Sequence, residues 1–166
     1  MSTPNERLVT AQWILERNLG WVAAAEIKVG AITAVDIAML AALGAFFSVD
    51  PSKSPWAIPF GVSAAGALLI ALTCTAMVLS PRLSGPSSSL LFFCPIASMT
   101  AVDYCNELHR ATHDQLLADF SQQIHRNAEI ANAKHAWVKK CLGWSLFAVL
   151  PWVATIGLLV KAQLGA

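Results

Sequence analysis

The sequence predicts an all-α membrane protein with three transmembrane helices, the first and third of which extend into a cytoplasmic helical bundle. Three observations lead there. At 56% hydrophobic residues and a mean hydropathy of +0.57, the chain is too apolar for an ordinary soluble domain. Its apolar residues are gathered into three blocks, each near the roughly 20 residues that a helix needs to cross a bilayer. Amphipathic stretches without a breaker run directly into the first and third blocks.

Residues 1–28 are expected to form a cytoplasmic N-terminal helix starting near Asn5. Leu8, Leu15, Leu19 and Val22 share one stripe, and Glu6, Arg7, Glu16 and Arg17 lie largely away from it. At about 1.5 Å per residue such an extension is some 35 Å long, more than a simple anchor needs. The polar start, MSTPNERLVTAQWILERN, lacks the basic start and short apolar core of a cleavable signal.

The first transmembrane helix, 29–49, carries one carboxylate, Asp36. An ionisable group at bilayer depth is costly, so it must face protein or water, be protonated, or find hydrogen-bond partners. At about 100° per residue, Gly30, Ala34, Ala38, Ala41 and Ala45 form a small-residue face suited to close helix contact. Asp36 lies opposite, with Val29, Thr33, Leu40, Leu43 and Phe47. The small face is expected to hold a neighbouring helix of the same or another chain, leaving the Asp36 face for a second interface or a central passage.

An external turn, 50–56 (DPSKSPW), leads to the second transmembrane helix, 57–79, where Thr73 and Thr75 reach roughly the depth of Asp36. Residues 80–140 form the only sizeable soluble-like region. It opens with the loop SPRLSGPSSS and the apolar insert LLFF. Thr100 and Asp103 then make a capping box for a helix through His109, and Thr112 or His113 starts a long helix. Along that helix Leu117, Phe120, Ile124, Ala131 and Val138 keep a spacing of three and four, which carries it into the third transmembrane helix, 141–160. There Ser145 and the Trp144 indole reach the level of Asp36, and Pro151, which removes a backbone donor, marks a hinge or a static kink. Residues 161–166 are a short tail.

Lys and Arg orient the chain. Arg7, Arg17 and Lys28 precede the first span, and six more basic residues lie between the second and third, against Lys53 and Lys161 elsewhere. The N-terminus is therefore expected in the cytoplasm and the C-terminus outside.

Chemistry-bearing motifs are sparse. Four cysteines show no CxxC spacing and read as reduced thiols. His109 and His113 stand one helical turn apart, but no third ligand is fixed by sequence, so no metal is assigned. No HExxH, GxSxG, Walker A or dinucleotide fingerprint occurs, and hence no catalytic residue, enzyme activity or cofactor is expected. A compact phosphate site is available from Arg82, Arg110, Arg126 and Lys134, with Tyr104 and Trp137 for stacking. The alternative is that each basic residue is a surface charge or an interhelical ion pair.

One order of short motifs is informative: AEIKVGAI entering the first span, SPRL leaving the second, LLFFCPIASM soon after, then DY, and DFSQQIHRNAEIANAKHAWVKK entering the last. From about Ala25 to Lys140 this resembles the Pycsar effector family of small bacterial membrane proteins in anti-phage defence. The family usually shows Asp where this chain has Glu26. The resemblance implies that region 80–140 senses a nucleotide second messenger or short oligonucleotide made by a partner nucleotidyltransferase or cyclase. It also implies that the effector then compromises the bacterial inner membrane.

Combined with the residues, this leads to a homo-oligomeric pore in membrane lipid. Its pore or intramembrane polar residues would be Asp36, Thr33, Thr73, Thr75 and Ser145, and its ligand residues Arg82, Tyr104, Arg110, Arg126 and Lys134. The alternatives are a small proton-coupled transporter using Asp36 and a passive membrane scaffold.

Overall fold

A computed structural model describes residues 3–49, 54–81 and 85–164. Most of the expected external turn, with Lys53, lies outside the described residues, as does Arg82. The described residues form five helices and no strand: α1 (Pro4–Val49), α2 (Ala57–Leu79), α3 (Phe93–Ser98), α4 (Ala101–Arg110) and α5 (His113–Leu164). Segments of α1, α2 and α5 are long and apolar enough to cross a membrane. The fold is that of an all-α membrane protein, because a helix satisfies its own backbone polar groups where lipid offers no partners.

Local chemistry sets the helix starts. At α1 the Glu6 amide donates to Thr3 Oγ1 at 3.3 Å while the Thr3 amide donates to Glu6 Oε2 at 2.8 Å, a reciprocal capping box with Pro4 at the first helical position. Before α4, Thr100 Oγ1 accepts from the Asp103 amide at 3.1 Å and donates to Asp103 Oδ2 at 2.6 Å. Before α5, the Thr112 amide donates to Gln115 Oε1 at 2.8 Å and Thr112 Oγ1 accepts from the Gln115 amide at 3.3 Å. From there α5 runs unbroken for 52 residues through Pro151, whose carbonyl accepts from Thr155 Oγ1 at 2.7 Å.

The chain divides into two compact units, and both α1 and α5 contribute to each. The first consists of Met1–Ala24 and Pro81–Ala133. In it α1 buries Ala11 and Asn18, and the Asn18 amide group donates to the Ile124 carbonyl at 3.0 Å. Leu8, Leu15 and Val22 are half-buried, whereas Leu19 is exposed. The loop before α3 is fastened to α5. Ser89 Oγ accepts from the Leu91 and Phe92 amides and from Gln123 Nε2, at 3.1, 2.9 and 3.0 Å. The Leu90 amide donates to Asp119 Oδ2 at 2.8 Å, and the Leu90 carbonyl accepts from the Tyr104 hydroxyl at 3.1 Å.

The second unit, Ala25–Ser80 with Lys134–Ala166, contains the apolar spans. One core cluster joins Ala25 and Val29 to Ala71, Cys74, Val78, Val138 and Cys141; another joins Leu43 to Ala64, Ala67, Leu68 and Ala148. The α1 face that packs inside the protomer is the one bearing Asp36, Val29 and Leu43, while Gly30, Ala34, Ala38, Ala41 and Ala45 are exposed. The reason lies in α2, which turns Gly61, Ala64, Ala67 and Ala71 inward. The small surface needed for close approach is on that helix and receives bulkier side chains from α1. At Gly61 the fit is tight, and an added Cβ would stand 2.7 Å from the Phe47 ring.

Candidate functional site

Two places collect polar groups, one in each unit. In the second, Asp36 is 0% exposed and accepts a hydrogen bond from Ser145 Oγ at 2.9 Å. Its other oxygen, Oδ1, is buried without a hydrogen-bond partner among the described residues. Ser145 Oγ also lies 3.0 Å from the Cys141 carbonyl, so its one proton is shared between two acceptors. A second pair, Thr33 and Thr75, has hydroxyls 2.8 Å apart, and Thr75 Oγ1 is 3.5 Å from Cys141 Sγ. Helical geometry sets both groupings, because Thr33 and Asp36 are three residues apart on α1, and Cys141 and Ser145 four apart on α5.

Of the five residues assigned to the intramembrane site, four thus lie in this unit's interior or at its edge. Thr73 does not join them; it is exposed and donates to the Leu69 carbonyl of its own helix at 2.9 Å. Trp144 is also exposed and meets the Phe147 ring edge-on. Half-buried Pro151 sits beside Trp152, whose indole donates to the Met39 carbonyl at 2.9 Å.

In the first unit a cavity of about 480 Å³ opens between the loop before α3, α4 and α5. From α4 come Glu107 and Arg110; from α5 come Gln115, Asp119 and Gln122. Ser88 and Ser89 line it from the loop, with Leu90, Met99 and Leu116 as apolar wall. Polar residues outnumber apolar ones in the lining, and polar groups that converge beside an apolar wall suit a small polar ligand.

Four of the five proposed ligand residues are among the described residues, and of these only Arg110 lines the cavity. Tyr104 braces the cavity's loop through the Leu90 carbonyl. Arg126 pairs with Glu129 at 3.0 Å. Lys134 belongs to the second unit, where it is 4% exposed and its ammonium is paired with the Glu26 carboxylate. Arg82 lies outside the described residues.

Glu107, Asp119, Gln115 and Gln122 line the cavity but carry no positive charge, so a phosphate pattern built from cations does not single them out. The spacing of 115, 119 and 122, four and three apart on one helical face, was the available signal. Among the described residues no group of three or more metal-ligating side chains occurs.

No curated protein and no solved structure matches the chain. The profile of the Pycsar effector protein domain, however, matches residues 10–161. That stretch includes α2, α3 and α4 whole and nearly all of α1 and α5, and so reaches beyond the Ala25–Lys140 motifs. With the cavity, the sealed carboxylate and the long apolar helices all inside the matched region, the chain belongs to the Pycsar effector family and is a membrane effector of anti-phage defence.

Proposed function

We propose that this effector is a pore of identical subunits, controlled by a nucleotide or short oligonucleotide, that depolarises the bacterial inner membrane and stops phage replication by halting the infected cell. It acts without catalysis, with its N-terminus in the cytoplasm and its C-terminus outside. The observation that carries the reading is the continuity of α1 and α5, each of which contributes to the unit with the ligand-sized cavity and to the unit with the spans. Such a helix carries a bias from a ligand only if the ligand binds one state better than the other.

Support for assembly comes from the exposed face of Gly30, Ala34, Ala38, Ala41 and Ala45, whose small side chains permit close helix contact in lipid. Asp36 is the candidate for cation preference, since a ring of carboxylates in a passage attracts cations. To reach a passage it must leave Ser145. The test is membrane potential in cells that express the effector with a partner cyclase or nucleotidyltransferase. Depolarisation by the wild type and its loss in Asp36→Ala, with insertion intact, is the expected result. Depolarisation that persists in Asp36→Ala removes Asp36 from the passage, and absence of depolarisation by the wild type rejects the pore.

A further inference from the structure

We infer that Glu107 is the specificity residue of the cavity in the first unit, accepting hydrogen bonds from an N–H edge of the ligand's base while Arg110 takes its anionic group. The inference rests on the nucleotide reading above and deepens it by naming what distinguishes one ligand from another.

Glu107 and Arg110 stand three apart on α4 and line the same cavity. Opposite charges at that spacing commonly pair on a helix surface. Here they do not: among the described residues neither the Glu107 carboxylate nor the Arg110 guanidinium has a salt-bridge or hydrogen-bond partner. The cavity therefore presents one open acceptor and one open cationic donor, the complement of a ligand with one anionic group and one donor edge.

Asp119, the other carboxylate of the lining, is not open in this way. Its Oδ2 holds the Leu90 amide at 2.8 Å, and its Oδ1, though without a hydrogen-bond partner among the described residues, is buried out of reach of solvent. It positions the loop, as Tyr104 does through the carbonyl of the same residue. With the loop fastened at Leu90, the cavity needs no folding step to receive a ligand.

The charge balance points the same way. Two carboxylates and one guanidinium make a lining that does not attract phosphates by charge alone. Recognition must come from matched donors and acceptors, and a carboxylate pairs with the amino or imino N–H groups of a base edge. Leu90, Met99 and Leu116 supply the apolar surface on which a base ring lies.

The test uses the purified full chain in detergent, titrated by calorimetry with 3′,5′-cyclic ribonucleotides, cyclic dinucleotides, short oligoribonucleotides and, as a base-free probe, ribose 5-phosphate. Glu107→Ala is expected to weaken the best nucleotide about tenfold to a hundredfold and to leave ribose 5-phosphate unchanged. Glu107→Gln, which keeps the shape and one acceptor, is expected to lose less. Arg110→Gln is expected to weaken both kinds of probe. Unchanged nucleotide binding in Glu107→Ala, or an equal loss of ribose 5-phosphate, overturns the inference while leaving the nucleotide reading in place. If the wild type binds none of the nucleotides, that reading itself fails and the inference with it.

Discussion

Ser145 donates its hydroxyl to Asp36 across 109 positions of sequence, and among the described residues it is the only hydrogen-bond donor to that carboxylate. The pair joins α1 to α5 in the interior of the second unit. It also means that the carboxylate is closed within one protomer and does not lie on the protomer surface.

Removing that donor has a predictable cost. Ser145→Ala leaves a buried acceptor without a hydrogen bond, a loss of about 1–3 kcal/mol. Thermal denaturation in detergent micelles should show a lowered midpoint for Ser145→Ala and a near wild-type one for Ser145→Thr, which keeps the hydroxyl. An unchanged Ser145→Ala midpoint would mean that the bond contributes nothing.

Glu26 and Lys134 predict an asymmetry. Lys134 is 4% exposed, whereas the Glu26 side chain is 44% exposed. Glu26→Gln strands a buried ammonium and should cost about 2–3 kcal/mol, toward the low end for a broken buried pair because Glu26 is half exposed. Lys134→Met strands only a carboxylate that water already reaches, and its apolar chain refills the site, so it should cost less than about 1 kcal/mol. Denaturation of the two variants side by side checks this; equal losses would show that burial does not govern the pair.

Two glycines of α2 should respond oppositely. An alanine at Gly61 meets the Phe47 ring at 2.7 Å, and displacing that ring from its cluster should cost about 1–3 kcal/mol. An alanine at Gly66 meets nothing within 4 Å and should be neutral or stabilising by up to about 1 kcal/mol. A Gly61→Ala protein as stable as Gly66→Ala would refute the close packing of α1 on α2.

The exposed small face makes a prediction about assembly. Ala38 is exposed, so Ala38→Phe leaves protomer packing unchanged. If this face joins subunits, as the pore reading holds, chemical cross-linking in membranes should lose its higher bands in Ala38→Phe and keep them in a Val35→Leu control. Identical ladders would exclude the face.

Much of the architecture was legible along the chain. The spans follow from hydropathy because lipid imposes a length and an apolarity that each segment must meet by itself. Capping at Thr100 and Thr112 follows from neighbours three residues away. The uninterrupted runs of α1 and α5 follow from stretches without a breaker, Gly20 being tolerated and Pro151 lying within a span.

What the sequence by itself determined, then, is whatever depends on near neighbours and on the solvent each segment meets: the helices, their starts, the two faces of α1 and the presence of a costly carboxylate on one of them. What only the tertiary structure decided depends on groups brought together from distant positions. It chose the Asp36 face of α1 for packing because α2 offered the small residues, gave Asp36 the hydroxyl of Ser145 and not that of Thr73, and withdrew Lys134 into a pair with Glu26. It also left Glu107 and Arg110 open in one cavity. Spacing places two groups on a helix, but only the surrounding chain determines whether each finds a partner.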